Sequence, residues 1–251
     1  MTVLPTDLRA ALTRAARTPR LLVTSDFDGT LAPLVNVPAD ARALPGSLDS
    51  LSDLAGRPDT VAALISGRSL QVLTELSGAP IGVHLIGSHG AEFDTGFAEP
   101  IDTALLDTIA DRLRAIAERY PGAGVETKPA GVVLHVRNAQ VDHGEAALAA
   151  ARSAAGAWPA HMTEGKSILE FSVITTNKGD AIDLLRDREN ASAVVFFGDD
   201  VTDETAFARL RGDDLGVKVG LGDTSAEFRV DAPADVAAAL AVLAAERAEA
   251  S

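Results

Sequence analysis

Four short apolar runs constrain the fold of this chain more than any other feature of its sequence. They occupy residues 21–25, 61–65, 83–86 and 193–197, and turn-forming residues bound them. Runs of this kind are typical of buried strands. Helical patterns lie between or after them at 70–76, 178–188 and 204–210, and shorter strand candidates at 215–219 and 227–230 precede an Ala-rich helical pattern from residue 234 onward. Because strands alternate with helices, the sequence predicts an α/β fold with helices on both faces of a parallel sheet.

The middle of the chain departs from this alternation. A helical pattern at 101–120 precedes strand candidates at 124–128 and 132–137, and a second helical pattern at 144–155 precedes strand candidates at 161–164 and 167–171. This order predicts a small α+β cap, which we expect at residues 98–175. The remaining residues, 1–97 and 176–251, are then expected to form a Rossmann-like catalytic core.

Charge and composition exclude several classes of function. The formal net charge of -14 argues against a nucleic-acid or anionic-membrane partner, because both would be repelled at long range. No stretch reaches the ~18 apolar residues of a membrane-spanning helix. The first twenty residues carry Asp7, Arg9, Arg14 and Arg17 instead of an apolar centre, so we expect a cytoplasmic protein. A small phosphorylated ligand stays compatible, since a bound metal ion can supply local positive charge.

Two carboxylates directly follow the first apolar run. Asp26 and Asp28 are separated by one residue and are followed by Gly29 and Thr30. In an open α/β sheet, ligands bind at the carboxyl ends of the strands. Two confined carboxylates repel each other unless a cation offsets the cost, and a divalent hard cation does so with oxygen ligands. One carboxylate can then attack phosphorus while the other moves protons, and Thr30 can hydrogen-bond a phosphate oxygen. A simple turn that caps a helix accounts for the same residues.

A second acidic segment follows the run at 193–197. It contains Asp199, Asp200 and Asp203, and helix capping alone does not account for all of them. Two acidic strand ends that face each other predict an oxygen-rich Mg²⁺ site. A phosphate needs further cations and donors, for which Lys178 at a helix N-terminus and Ser66 after the second run are the candidates. A solvated surface lysine is the alternative for Lys178.

The segments that contain Asp26, Ser66, Lys178 and Asp199 follow one another along the chain in this order. Together they resemble the motifs of the haloacid dehalogenase superfamily of phosphohydrolases. The resemblance implies that Asp26 is the nucleophile, Asp28 the acid/base, and Ser66 and Lys178 the phosphate-site residues, with Gly67 beside the phosphate. It also implies that Mg²⁺ is held by the Asp26 side chain, the Asp28 main-chain oxygen and Asp199, with Asp200 and Asp203 as outer or alternative ligands.

Polar side chains alternate along the predicted cap strands. Glu126 and Lys128 are two residues apart, His135 and Arg137 likewise, and Lys166 and Glu170 four apart, which places each pair on one strand face. Such a face suits a ligand with many hydroxyl groups, although a solvent-exposed sheet face carries similar residues.

Six segments, at 21–34, 64–68, 87–93, 126–137, 164–171 and 196–204, are together similar to the trehalose-phosphatase branch of that superfamily. This similarity implies a phosphorylated sugar, trehalose 6-phosphate, as the substrate. It implies sugar contacts from Glu126, Lys128, Lys166 and Glu170, with His89, Glu92 and His135 near the cleft. The alternatives are a phosphatase or mutase acting on another sugar phosphate, such as sucrose phosphate, and a non-catalytic sugar-phosphate sensing domain.

Overall fold

A computed structural model describes residues 4–250 of the chain. Residue contacts divide it into two compact units. The core unit comprises the described residues up to Gly96 and from Thr176 onward, and the cap unit comprises Phe97–Thr175. None of the helices in the described part of the chain is long and apolar enough to cross a membrane.

The elements of the core unit alternate between helix and strand. Before the cap they are α1 (Thr6–Ala15), β1 (Leu21–Ser25), α2 (Ser47–Ala55), β2 (Thr60–Ile65), α3 (Leu70–Ser77) and β3 (Val83–Ile86). Two short strands, β4 (Glu92–Phe93) and β5 (Gly96–Phe97), lie where the chain passes into the cap unit. The cap elements are α4 (Thr103–Ala117), β6 (Gly124–Lys128), β7 (Gly131–His135), α5 (Val141–Ala155), β8 (His161–Gly165) and β9 (Ile168–Ser172). The chain then returns to the core with α6 (Lys178–Glu189), β10 (Ala193–Gly198), α7 (Glu204–Phe207), β11 (Leu215–Val219), β12 (Phe228–Val230) and α8 (Pro233–Ala250).

Six core strands form one sheet in the order β12-β11-β10-β1-β2-β3, and the described pairings are all parallel. Alternate residues of a strand point to opposite faces. In β1, Leu21 and Val23 therefore join a cluster with α1, α2 and α8, whereas Leu22 joins a second cluster with α6 and α7. Apolar residues on both faces explain why these strands read as continuous apolar runs. The predicted α/β class, with helices on both faces, is confirmed.

Local differences from the predicted elements have simple causes. The helix predicted at 204–210 ends at Phe207 and follows a 3₁₀ turn, Val201–Asp203, whose start is capped by the side chains of Asp200 and Asp203. Helices α1 and α2 were not predicted. In α1 the buried residues Leu8 and Leu12 do lie four apart, but Ala and Arg fill much of the rest and weaken the pattern.

The cap unit is a four-stranded antiparallel sheet with two helices on one face. The strand order is β6-β7-β9-β8. Val132, Leu134, Leu169 and Phe171 belong to a cluster that includes apolar residues of α4 and α5, such as Ile109. The register pairs Glu126 with Val133 and Val133 with Glu170, so these residues lie on the opposite face of the sheet. The cap therefore has one face covered by helices and a second face that carries charged side chains.

Candidate active site at the carboxyl edge of the core sheet

Three neighbouring strands end in polar residues at one edge of the core sheet. Asp26 follows β1, Asp199 follows β10 and Ser66 follows β2. The register pairs Ser25 with Phe197 on one side and with Leu64 on the other, and the Asp26 amide donates to the Phe197 carbonyl at 2.9 Å. Because the three strands are parallel neighbours, their carboxyl ends meet at the same edge.

The Lys178 ammonium joins two of the carboxylates at this edge. It donates to Asp26 Oδ1 and to Asp203 Oδ1, each at 2.7 Å, and all three side chains are buried. Lys178 is the first residue of α6, whose N-terminus is capped by a reciprocal pair of hydrogen bonds between Asn177 and Asp180. A lysine in this position opposes the helix dipole, and the two carboxylates offset that cost.

Burial and charge shift the pKa values of this group of residues. Burial raises the pKa of Asp26 well above its ordinary value, and the Lys178 ammonium partly offsets the rise. Burial alone would lower the pKa of Lys178, but Asp26 and Asp203 together raise it, so the ammonium stays charged. Asp26 is thus a desolvated carboxyl group beside a fixed positive charge, an environment often found at catalytic groups.

Asp203 uses both of its carboxylate oxygens within the protein. Oδ1 accepts from Lys178, and Oδ2 accepts from the backbone amides of Asp199 and Asp200 at 2.9 Å each. A Cβ atom at Gly198 would lie 2.5 Å from the Asp203 carboxyl carbon, so only glycine allows this close approach. Asp203 therefore fixes both the lysine and the peptide groups of the acidic loop.

The Asp199 carboxylate lies against the loop that follows Asp26. Thr30 Oγ1 donates to Asp199 Oδ1 at 3.1 Å. Gly29 has φ +80°, and a Cβ there would lie 2.1 Å from Asp199 Oδ2, so glycine is required for two reasons. Burial, with repulsion from Asp203, raises the pKa of Asp199 to about 6. The hydroxyl of Thr30 is thus engaged with a carboxylate.

The donor set at this edge fits a hard divalent cation. Single carboxylate oxygens of Asp26, Asp199 and Asp203 all lie within 4.8 Å of one another. Oxygen ligands of this kind suit Mg²⁺. Since both oxygens of Asp203 already accept hydrogen bonds, Asp26 and Asp199 are the members best able to offer a ligand atom.

Asp28 forms a two-pronged ion pair with Arg68. Arg68 Nε and Nη2 donate to Asp28 Oδ2 and Oδ1, both at 2.6 Å. The hydrogen bonds from Arg68 to Asp28 raise the pKa of the guanidinium. Arg68 is thus the partner of the predicted acid/base.

A cavity of about 450 Å³ opens over these groups. Ser66, which is buried, accepts from the Arg68 amide through Oγ at 3.2 Å, so its hydroxyl proton is available to another acceptor. A Cβ at Gly67 would lie 2.5 Å from the His89 ring, which places that ring over Gly67. The lining residues are Asp26, Asp28, Leu34, Ser66, Gly67, Arg68, His89, Lys178, Asp199, Asp200 and Thr202.

Comparison with known proteins identifies the family. A model of the trehalose-phosphatase family matches residues 24–234, which include every residue that lines the cavity. The chain belongs to the trehalose-phosphatase family. The resemblance noted in the sequence is thereby confirmed.

Individual relatives agree with this assignment. The chain is 35% identical over 221 residues to the trehalose-6-phosphate phosphatase of Escherichia coli K12, covering 84% of this chain and 82% of that one. It is also 35% identical over 230 residues to the trehalose-phosphate phosphatase of Mycobacterium tuberculosis H37Rv, but spans only 58% of that longer protein.

Solved structures show the same fold. The trehalose-6-phosphate phosphatase of Aspergillus fumigatus (crystal form 3) aligns with a TM-score of 0.70 at 26% identity, covering 94% of this chain and 97% of that one. The C-terminal domain of the Candida albicans enzyme aligns with a TM-score of 0.79 at 24% identity, covering 94% and 96%, and supports the fold alone.

Not every predicted site residue of this trehalose-phosphatase-family chain lies at the cavity. Glu92 is absent from the lining, and its Oε2 instead accepts from the Leu70 amide at 2.8 Å and from Ser88 Oγ at 3.0 Å. Asp200 lines the cavity, is exposed, and accepts from the Val201 amide at 2.7 Å.

The predicted sugar contacts all lie in the cap unit. Glu126, Lys128 and Glu170 lie on the face opposite α4 and α5, as does His135. Lys128 donates to Glu170 Oε1 at 2.8 Å, and His135 Nε2 lies 2.7 Å from Glu126 Oε2. Lys166 lies in the turn between β8 and β9, so strand spacing does not assign it to a face.

Sequence reasoning gave no role to Lys218, which the structure places beside the acidic loop. Lys218 is buried in β11, and its ammonium donates to the Asp199 carbonyl. The chain has only four lysines, and the two that are buried, Lys178 and Lys218, both contact this loop or its carboxylates. The scarcity of lysine was the signal that could have identified it.

Proposed function

We propose that this chain hydrolyses trehalose 6-phosphate to trehalose and inorganic phosphate in an Mg²⁺-dependent reaction, with Asp26 as the covalent nucleophile. The observation that supports this most is the position of the Asp26 carboxylate. It lies at the carboxyl end of β1, lines the cavity and is fixed through Oδ1 by Lys178. A carboxyl group that is held in a fixed position beside a cation can be activated as a nucleophile.

The reaction proceeds in two transfers. An Asp26 oxygen attacks phosphorus, the bond from phosphorus to the sugar oxygen breaks, and Asp28 gives its proton to that oxygen. Water then attacks the aspartyl-phosphate, Asp28 takes a proton from the water, and the bond between Asp26 and phosphorus breaks. Asp28 ends the cycle protonated again, so protons and electron pairs balance.

Arg68 constrains the acid/base step. Both oxygens of Asp28 accept from the guanidinium in this structure. At least one of these two hydrogen bonds from Arg68 must therefore break before Asp28 can donate a proton to the leaving group. We propose that the phosphate is held by Lys178, Ser66 and the backbone at Gly67, and their position in the cavity lining supports this.

Asp26 and Asp199, with the main-chain oxygen of Asp28, are the groups we propose to hold Mg²⁺. The bound ion would neutralise charge on the phosphate and align it with the nucleophile. We propose Asp203 as the anchor of this arrangement, because both of its oxygens accept hydrogen bonds from the protein. Asp200 fits an outer role through water, since it is exposed at the cavity. Thr30 orients Asp199 through its hydroxyl.

We propose that the cap unit supplies the sugar contacts. Its charged face presents the ion pair of Lys128 with Glu170 and the contact of His135 with Glu126. Carboxylates accept and ammonium groups donate hydrogen bonds, as a disaccharide with many hydroxyl groups requires. Lys166, in the adjacent turn, and His89, at the cavity of the core, complete the proposed set. Location in the cytoplasm and the lack of a nucleic-acid or membrane partner stay predictions.

A phosphate-release screen tests the function. Wild-type protein with Mg²⁺ would be assayed on trehalose 6-phosphate, sucrose 6-phosphate, glucose 6-phosphate and p-nitrophenyl phosphate. We expect the highest kcat/KM on trehalose 6-phosphate. A clear preference for another sugar phosphate, or transfer of phosphate within the sugar without its release, would refute the assignment in favour of a different phosphatase or a mutase.

A further inference from the structure

Two loops that line the cavity are joined closely along their backbones. One loop, residues 66–70, follows β2, and the other, residues 87–92, follows β3. The Ser88 amide donates to the Arg68 carbonyl at 2.7 Å, and the His89 amide donates to the Ser66 carbonyl at 2.9 Å. A Cβ at Gly87 would lie 2.3 Å from the Leu70 nitrogen, so the two backbones are in direct contact there. Any shift of one loop must therefore move the other.

The second loop holds an unfavourable backbone conformation. Ser88 and His89 have φ values of 50° and 58°, which lie in the left-handed region that side chains other than glycine seldom adopt. Two such residues in succession cost free energy, and they persist only where the surrounding contacts determine them. The contacts that hold this loop therefore decide where the His89 ring lies.

The Glu92 carboxylate connects the two loops. Its Oε2 accepts from the Leu70 amide at 2.8 Å and from Ser88 Oγ at 3.0 Å. Leu70 is the first residue of α3, so its amide has no partner within the helix, and a carboxylate is favoured at that end. One oxygen atom thus fixes the end of the first loop and the strained residue of the second.

Glu92 itself does not line the cavity, whereas Ser66, Gly67, Arg68 and His89 do. We propose that Glu92 is a positioning residue that sets the phosphate-binding loops and makes no contact with substrate. The inference rests on the proposed phosphatase function, and it replaces the substrate-binding position near the cleft that the family resemblance implied for Glu92. The loops that Glu92 fixes would bind the phosphate group. The kcat/KM for every phosphate ester should therefore depend on Glu92 to the same extent.

The test compares two substrates and one product. In Glu92→Ala, kcat/KM should fall by at least about tenfold on both trehalose 6-phosphate and p-nitrophenyl phosphate, because two hydrogen bonds to a carboxylate are lost. The inhibition constant of inorganic phosphate, measured with Mg²⁺ present, should rise by a similar factor. Glu92→Gln keeps an acceptor oxygen and the side-chain shape, so it should stay within about threefold of wild type on all three measures.

Two further variants separate positioning from general stability. Ser69 also caps α3, because its Oγ accepts from the Val72 amide at 3.4 Å. Its side chain forms no hydrogen bond to the second loop, so Ser69→Ala changes the cap of the helix alone. It should lower the Tm and leave the phosphate inhibition constant unchanged. Ser88→Ala removes one of the two bonds to Glu92 and should raise the inhibition constant less than Glu92→Ala does. It also keeps the proposal testable if Glu92→Ala does not fold.

The possible outcomes are distinct. A loss confined to trehalose 6-phosphate, with p-nitrophenyl phosphate and inorganic phosphate unaffected, would show that Glu92 contacts the sugar and overturn the proposal. If Glu92→Ala lowered the Tm but left the inhibition constant of inorganic phosphate unchanged, the proposal would be overturned as well. If the wild type does not hydrolyse trehalose 6-phosphate but phosphate inhibition still depends on Glu92, the proposed function fails and the positioning role stands.

Discussion

Asp203 offers a sharp test of how the acidic site is built. It is fully buried, and its two oxygens accept three hydrogen bonds, one from Lys178 and two from the amides of Asp199 and Asp200. In Asp203→Asn, the side-chain amide has two orientations. If its oxygen faces the two backbone amides, its NH₂ group faces the Lys178 ammonium, so two hydrogen-bond donors oppose each other. The opposite orientation would face the two backbone amides with the NH₂ group. Either way, the buried ammonium loses one of its two counter-charges.

The expected loss of stability follows from this geometry. Removal of one partner from a buried ion pair costs about 3–5 kcal/mol. For a chain of this size each kcal/mol lowers the Tm by about 2–4 °C, so Asp203→Asn should lower it by roughly 6–20 °C. The assay is calorimetric unfolding of the metal-free protein in EDTA at neutral pH, where no bound ion contributes.

Asp199→Asn is the matched control. Burial and repulsion from Asp203 raise the pKa of Asp199 to about 6, so its charge is unfavourable in the metal-free protein. Removal of that charge should leave the Tm in EDTA unchanged or raise it, while the stabilisation by Mg²⁺ is lost. If Asp203→Asn behaved in the same way and raised the Tm, Asp203 would be a repelled metal ligand, and the anchoring role would be refuted.

Three further predictions concern the metal, pH and the cap. EDTA should abolish phosphate release, and Mg²⁺ should restore it better than Ca²⁺, which favours more ligands at longer distances; full activity after exhaustive chelation would contradict the site. Because Mg²⁺ binds the ionised carboxylate and the pKa of Asp199 is about 6, protons should compete with the ion only at low pH. Its affinity in isothermal titration should fall by at least about tenfold per unit as the pH drops below about 6, whereas a constant affinity down to about pH 5 would count against Asp199 as a ligand. Lys166→Ala or Glu170→Ala should lower kcat/KM on trehalose 6-phosphate by roughly 10–150-fold and spare p-nitrophenyl phosphate; equal losses on both would indicate a general role in folding or closure.

The sequence predicts the fold and the edge of the sheet well because both depend on local patterns. Continuous apolar runs identified β1 and β10, and the rule that ligands bind at the carboxyl ends of parallel strands then placed Asp26 and Asp199 at one edge. Lys178 was identifiable because a lysine at a helix N-terminus is unfavourable without a partner, and the structure provides two.

Other features depend on contacts between distant segments, which local patterns do not report. Arg68 reaches Asp28 across 40 residues of sequence, and Glu92 reaches the Leu70 amide across 22. The family resemblance implied a position near the cleft for Glu92. Its side chain instead follows a strained turn that begins at Ser88, and no local sequence pattern reports that turn. The ion pair of Asp203 with Lys178 likewise joins segments that are 25 residues apart.

Phosphate release by wild type and Asp26→Asn on trehalose 6-phosphate, side by side with saturating Mg²⁺, tests the central claim most directly. Wild type should turn the substrate over, and a folded Asp26→Asn protein should be at least ~10³-fold slower, because the amide cannot attack phosphorus. Matching Tm values would show that the variant retains the fold. Comparable rates for the two proteins, or no phosphate release by wild type, would contradict the account.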